Sequence, residues 1–244
     1  PLGVCGRAIA TVILPNRSAH REAAREGEFS GTLAWAVRSV LLLGVPAAVA
    51  LVILAKPILI TLFQYGALTP RDVDMAVLSL RAYSLGLVAF MLVKVLAPGY
   101  YARKDTATPV KIGIIAMAAN MVLNLLFVLP LMYFWNIGHL GLALATSVAA
   151  YLNAGLLLRG LVRDGVYRMQ PQVGRYVLRL VLATAAMSLV IATLVSDAGQ
   201  WLAWRWDQRA VQMALVCIAG VATYLVAHLL LGTRPRHLRA PSGT

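Results

Sequence analysis

One lysine and a few neutral oxygens are the side chains of this 244-residue chain best suited to chemistry in an apolar setting. Lys94 follows an unbroken apolar run and stands just before Pro98 and Gly99. An ammonium ion in such surroundings needs an anionic partner, and no acid stands near it in sequence. A phosphate or pyrophosphate on a bound substrate would fill that role. The plainer reading is a lysine whose stem carries its charge back to the headgroups, with no transport role. Asn120 and Asn124 are four apart and share one helix face, while Thr146, Ser147 and Asn153 place hydroxyls and an amide on another segment. Such groups either bridge neighbouring helices or hold a monovalent cation through neutral oxygens.

The other reactive residue types are scattered. All nine acids, Glu22, Glu26, Glu28, Asp72, Asp74, Asp105, Asp164, Asp197 and Asp207, fall between the apolar stretches. No buried carboxylate pair is therefore expected for acid–base work or proton relay. Cys5 and Cys217 sit in apolar segments without CxxC spacing, and His20, His139, His228 and His237 are dispersed. Neither a catalytic group nor a metal site is expected from them. A membrane transferase would need acids or histidines at metal-ligand spacing, and only Asp72 and Asp74 approach that. A non-catalytic scaffold would need no charge in a cavity at all.

The elements that must carry these side chains follow from composition. The chain is 60% hydrophobic and 13% charged, with mean hydropathy +0.77, which excludes a soluble enzyme. A helical crossing takes about 20 apolar residues, and six stretches qualify: Gly31 to Leu54, Val77 to Ala97, Val110 to Phe134, Leu140 to Leu158, Tyr176 to Val195 and Ala210 to Leu231. The fold class expected is all-α, a polytopic transmembrane helix bundle of six complete spans plus the end of a seventh. That end is Leu2 to Leu14, which is short and is expected to stop at Pro15. Residue 1 is accordingly expected to lie inside a helix of a longer protein. Asn16 to Phe29, with Arg21, Glu22, Arg25, Glu26 and Glu28, reads as a short cytoplasmic surface helix.

Turn chemistry marks the ends of the spans. Thr69, Pro70 and Asp72 read as N-cap, first helical residue and third-position acid, and Thr108 with Pro109 is expected to repeat the device. Pro98 and Gly99 are expected to stop the helix that carries Lys94. Arg38, Arg81 and Arg179 are expected near span ends, with their guanidinium groups drawn back to the headgroups.

Charge orients the bundle, because short cytoplasmic loops keep Lys and Arg. One set of connections holds Arg17, Arg21 and Arg25, then Arg103, Lys104 and Lys111, then Arg159, Arg163, Arg168, Arg175 and Arg179, then Arg234, Arg236 and Arg239. The other set holds only Lys56, Arg71, Arg205 and Arg209. The first set, with the C-terminus, is expected in the cytoplasm. The net charge of +13 is thus explained by topology and anionic headgroups, and nucleic acid is not an expected partner.

Two strings resemble hallmarks of a known family. Leu62-Phe63-Gln64-Tyr65-Gly66 and the long run from Lys94 through Pro98-Gly99-Tyr100-Tyr101-Ala102-Arg103-Lys104-Asp105 to Thr108-Pro109-Val110 look like those of the MurJ (MviN) lipid II flippases, and the likeness extends over essentially the whole chain. The resemblance implies a member of the multidrug/oligosaccharidyl-lipid/polysaccharide exporter superfamily, with fourteen spans, of which this chain would supply the C-terminal part. Residues 1–14 would then be the end of a truncated helix, 15–30 a cytoplasmic connector and 31–160 four spans of the C-terminal transport lobe. Residues 161–175 would be a cytoplasmic loop, 176–232 two additional spans and 233–244 a cytoplasmic tail. The implied activity moves lipid II from the inner to the outer leaflet of the bacterial cytoplasmic membrane by alternating access, with Lys94 matching the family's lysine in the second string. The implied partners are lipid II, membrane lipids and an N-terminal half of the same transporter. Asn120, Asn124 and Thr146 occupy places similar to a sodium site in some members, although Asn124 stands where an acid is expected. A flippase for another polyprenyl-pyrophosphate-linked glycan and a scaffold for cell-wall assembly are the alternatives.

Overall fold

A computed structural model describes residues 2–64, 69–167, 173–195 and 198–232, with residues 2–26, 28 and 198 described by backbone alone. Tyr65 and Gly66 of the first string, Arg168 and the tail 233–244 lie outside the described residues. Among the described residues seven helices follow in order: α1 Leu2–Phe63, α2 Pro70–Tyr101, α3 Ala107–Trp135, α4 Gly138–Arg163, α5 Val173–Leu194, the short α6 Ala198–Ala203 and α7 Trp206–Leu230. All but α6 contain a stretch long and apolar enough to cross a bilayer, that of α1 being Phe29–Phe63. The chain is a multi-pass membrane protein with an all-helical fold.

The first helix departs from expectation. Instead of ending at Pro15 and restarting as a surface helix, α1 runs 62 residues without a break. Proline removes one backbone bond there, at a cost of roughly 3 kcal/mol. The run Arg21-Glu22-Ala23-Ala24-Arg25-Glu26 after it consists of strong helix formers, which propagate the helix across it.

Two helices also run beyond the apolar stretches that hydropathy picks out. α1 continues past Leu54 to Phe63, and α2 starts at Pro70, seven residues before the apolar stretch that opens at Val77. Lys56 and Asp74 cut the apolar runs in sequence, yet they lie inside helices and pair at 2.7 Å. The start of α2 is as expected: Thr69 N and the Thr69 hydroxyl donate to Asp72 Oδ2 at 2.9 and 2.6 Å, and Asp72 N donates to the Thr69 hydroxyl at 3.3 Å.

α2 is the middle of the bundle, packed on α1 along one side and on α4 along another, while α3 packs on α4 and the α5–α7 pair leans on α1. Small residues set the approach distances, as they must where lipid supplies no hydrophobic drive between helices. A Cβ on Gly86 would stand 2.6 Å from Ser147 Oγ, and one on Gly141 would meet the Phe127 and Val128 backbone at 2.8 Å. Ser147 uses the contact to donate to the Ala82 carbonyl at 2.7 Å. Several other hydroxyls bond back to their own helix, as Ser84 does to Leu80 and Thr223 to Ala219, which satisfies those donors without water.

Candidate functional site

Lys94 lies on α2, seven residues before its end, with its side chain exposed and with no ion pair among the described residues. The expected stop at Pro98 and Gly99 does not occur. α2 continues to Tyr101 with Pro98 inside it. Proline supplies no N–H to the carbonyl four residues back, so the Lys94 carbonyl loses its helical partner beneath the charged side chain.

The helix survives the proline because its last turn is bolted to α4. Tyr100 is buried and its hydroxyl donates to the Leu157 carbonyl at 2.8 Å. Gly160 leaves the space that the Tyr100 hydroxyl fills, and Gly99 lies against Leu161 and Leu33. Leu33, Val37, Leu96, Tyr100, Ile112, Leu157 and Leu161 form one buried cluster at this corner. Outside it Arg103 Nη1 reaches Asp164 Oδ2 at 3.1 Å, and Lys104 turns the chain with φ 60°.

The cap of α3 is also different from the expected one. The helix begins at Ala107, so Thr108 and Pro109 lie inside the first turn, and Asp105 accepts from Thr108 N at 3.0 Å. Hydrogen bonds from the Thr108 side chain, and then from its backbone N–H, hold the Asp105 carboxyl below its ordinary value. An acid one turn upstream outcompetes a threonine as cap because its charge also meets the positive end of the helix.

Arg81 makes its contact within the bundle. With α2 starting at Pro70 it stands three turns in, and its Nε donates to the Val52 carbonyl of α1 at 3.1 Å. Arg38 likewise lies over the Tyr176 ring, 5.9 Å from its centroid, and the Tyr176 hydroxyl donates to the Arg38 carbonyl at 2.7 Å.

Arg209 is a residue that sequence reasoning missed. Grouped by charge with the sparsely charged connections, it is in fact buried, donating to the Ile60 carbonyl at 3.3 Å and the Leu202 carbonyl at 3.0 Å. These carbonyls belong to the last turns of α1 and α6, where a cation complements the helix dipole. Trp201, fully buried among Ala55, Ile60, Val73 and Val77, packs beside Trp204 at 5.3 Å between centroids. The cluster of tryptophans just before Arg209 was the available signal.

The neutral oxygens fall on the antiparallel α3–α4 pair. Contact of Gly141 with the Phe127 backbone sets Asn124 and Asn120 one and two turns along α3, level with the segment of α4 that carries Thr146. Asn120 Oδ1 and Asn124 Oδ1 are buried and accept no hydrogen bond among the described residues. The Thr146 hydroxyl donates to the Leu142 carbonyl at 2.9 Å, which leaves its lone pairs available. No hydrogen bond joins the three residues to one another among those described. They lie on α3 and α4, whereas Lys94 lies on α2.

A sequence profile described as lipid II flippase MurJ matches residues 1–231. The chain is 48% identical over 240 residues to a Vibrio cholerae protein named probable lipid II flippase MurJ, covering 98% of this chain and 45% of that protein. It is 42% identical to a Haemophilus influenzae protein of the same name, covering 98% and 46%, and 37% identical to the Burkholderia cenocepacia lipid II flippase MurJ, covering 95% and 43%. A solved structure titled lipid II flippase MurJ, inward closed conformation, superposes with a TM-score of 0.67 at 25% identity over 94% of this chain and 43% of that one. The chain spans less than half the length of the relatives it matches.

Proposed function

Because this chain belongs to the lipid II flippase MurJ family, we propose that it forms the C-terminal part of a carrier that moves lipid II from the inner to the outer leaflet of the bacterial cytoplasmic membrane. The observation that carries the role of this part is Lys94: a cation on a membrane helix, exposed and without an acid, on the central helix of the bundle. A diphosphate entering from the cytoplasmic side is the anion it would meet, and a lysine suits it as a compact point charge.

The division of labour within the chain is supported by its packing. The spans of α1 to α4 form one assembly, the transport lobe, whereas α5 and α7 pack on each other and reach the rest chiefly through α1, as an added pair would. The C-terminus and the Arg103–Asp164 corner lie on the cytoplasmic side in this reading, because the arginine-rich connections cluster there. The upstream half of the transporter is a partner in the same polypeptide and completes the cavity that Lys94 faces.

A monovalent cation at Asn120, Asn124 and Thr146 is a second element of the proposal. Two buried amide oxygens without donors fit a cation that neutral oxygens can hold, and side chains or carbonyls of the missing segment would add the remaining ligands. A cation bound there would couple its gradient to the cycle. Transport by the intact protein should then fall when sodium is replaced by choline, and Asn124→Ala should remove that dependence.

The principal test joins this chain to its upstream half in cells depleted of their own flippase. Growth should be restored by the intact protein and lost with Lys94→Ala at equal membrane levels. No rescue by the well-expressed intact protein would contradict lipid II as the cargo and favour another polyprenyl-pyrophosphate-linked glycan.

A further inference from the structure

α2 has two buried sides, facing α1 and α4, and two open ones. On one open side lie Asp74, Arg81 and Leu85, already occupied by the Lys56 pair, by the bond of Arg81 to Val52 and by the Tyr151 hydroxyl on the Leu85 carbonyl at 2.8 Å. The other open side is a stripe of Tyr83, Leu87, Lys94 and Pro98. Tyr83 and Lys94 are eleven residues apart, which places them within about 20° of one another around the helix and about 16 Å apart along it.

Tyr83 is in an unusual place for a tyrosine. It lies within a turn of the middle of Pro70–Tyr101, its side chain is 41% exposed, and its hydroxyl makes no hydrogen bond among the described residues. Membrane tyrosines gather at the interfaces, where the ring is apolar and the hydroxyl wet. A phenol at mid-depth facing hydrocarbon would leave its hydroxyl unsatisfied at a cost of kcal/mol order. The face it shares with a lysine is therefore one that polar groups must visit.

We propose that Tyr83 is a second contact point for the cargo, a mid-membrane station where the hydroxyl-rich saccharide of the lipid-linked substrate meets the phenol hydroxyl and ring face, one stage beyond Lys94 on the same stripe of α2. The proposal rests on the carrier reading above, with Lys94 taking the diphosphate. The separation suits it, because a diphosphate held at Lys94 directs the attached sugars along the helix toward the outer leaflet. Leu87, half-buried between the two, gives the stripe a smooth wall with no competing charge.

The test uses the intact transporter, upstream half included, with every cysteine replaced, among them Cys5→Ala and Cys217→Ala. Single cysteines are introduced by Tyr83→Cys, Lys94→Cys and, as a control at an apolar position of α3, Leu125→Cys. Leu125 is 64% exposed on a helix of which few residues are buried. Membranes are treated with a small, charged, membrane-impermeant methanethiosulfonate, with and without purified lipid II. Labelling is expected at positions 83 and 94 and at least tenfold slower at 125, and lipid II is expected to slow labelling at 83 at least threefold. In parallel, Tyr83→Leu should cut outer-leaflet lipid II severalfold at normal protein level, and Tyr83→Phe, which keeps the ring, should retain more of it.

Position 83 as inert as 125, with 94 reactive, would overturn the station at Tyr83 and leave the carrier reading standing. Reactivity at 83 that lipid II does not slow would also overturn it, showing a wet face and no cargo contact. Inertness at both 83 and 94 would remove the carrier reading of Lys94 along with it.

Discussion

The Tyr100 hydroxyl donates to the Leu157 carbonyl at 2.8 Å, across a contact that exists only because position 160 is glycine. This bond ties the turn after Pro98 to α4 and so fixes the end of the helix that presents Lys94. Tyr100→Phe should lower stability by about 1 kcal/mol, the ordinary net worth of a buried hydrogen bond. Gly160→Ala, which places a methyl group where the hydroxyl sits, should cost more, about 1–3 kcal/mol. Thermal unfolding of the purified intact protein in detergent would rank the two. The reverse order would mean that the ring, not the glycine, gives way.

Gly86 and Ser147 form a similar contact in the centre of the bundle. Gly86→Ala should destabilise by about 1–3 kcal/mol, because the new Cβ meets Ser147 Oγ and Cβ at 2.6 and 2.9 Å. Adding Ser147→Gly should recover part of the loss. The double-mutant cycle is the measurement, and additive single effects would show that the helices move apart freely.

Arg209 is expected to matter for assembly of the end of the bundle where α1, α6 and α7 meet. Arg209→Met leaves the Ile60 and Leu202 carbonyls without their charged donor and should cost roughly 2–3 kcal/mol, while Arg209→Lys should retain part of it. Tryptophan fluorescence is a direct report, since Trp201 and Trp204 lie beside these carbonyls. An unchanged spectrum and melting temperature in Arg209→Met would contradict the role.

The α3 cap should be sensitive to acid. Asp105 has a folded-state value below its ordinary 3.8, owing to its hydrogen bonds from Thr108. Its contribution to stability is therefore fully present above that ordinary value and is lost as pH falls through the lower, folded one. The stability difference between the wild-type protein and Asp105→Asn should be constant near neutrality and shrink below about pH 4. A difference that grew on acidification would reverse the sign of the assignment.

Hydropathy and loop charge were enough to find all six spans, because lipid forces every crossing into an apolar helix of nearly fixed length. Where charged residues interrupt the apolar runs, the boundaries were misplaced: Lys56 and Asp74 read as loop because each is polar alone, whereas the pair they make across α1 and α2 is visible only in three dimensions. Pro98 read as a stop for the same reason, since the Tyr100 and Gly160 fit that carries the helix past it joins residues sixty apart in sequence. Lys94 was legible as a candidate because a lone cation in an apolar run is costly wherever the fold puts it. Tyr83 was not, since a tyrosine in a span is unremarkable until its depth and its face are known. Arg209 shows the converse, a charge that reads as exposed and serves inside.

The central claim is that Lys94 engages the diphosphate of lipid II during transfer, and outer-leaflet lipid II in cells relying on the intact transporter tests it most directly. With Lys94→Ala at equal membrane abundance, transfer should drop roughly 10- to 100-fold, the equivalent of about 1.5–3 kcal/mol for a charged hydrogen bond, and Lys94→Arg should recover a substantial part. Transfer by Lys94→Ala at the wild-type rate would contradict the claim and leave Lys94 as a lysine anchored among the headgroups.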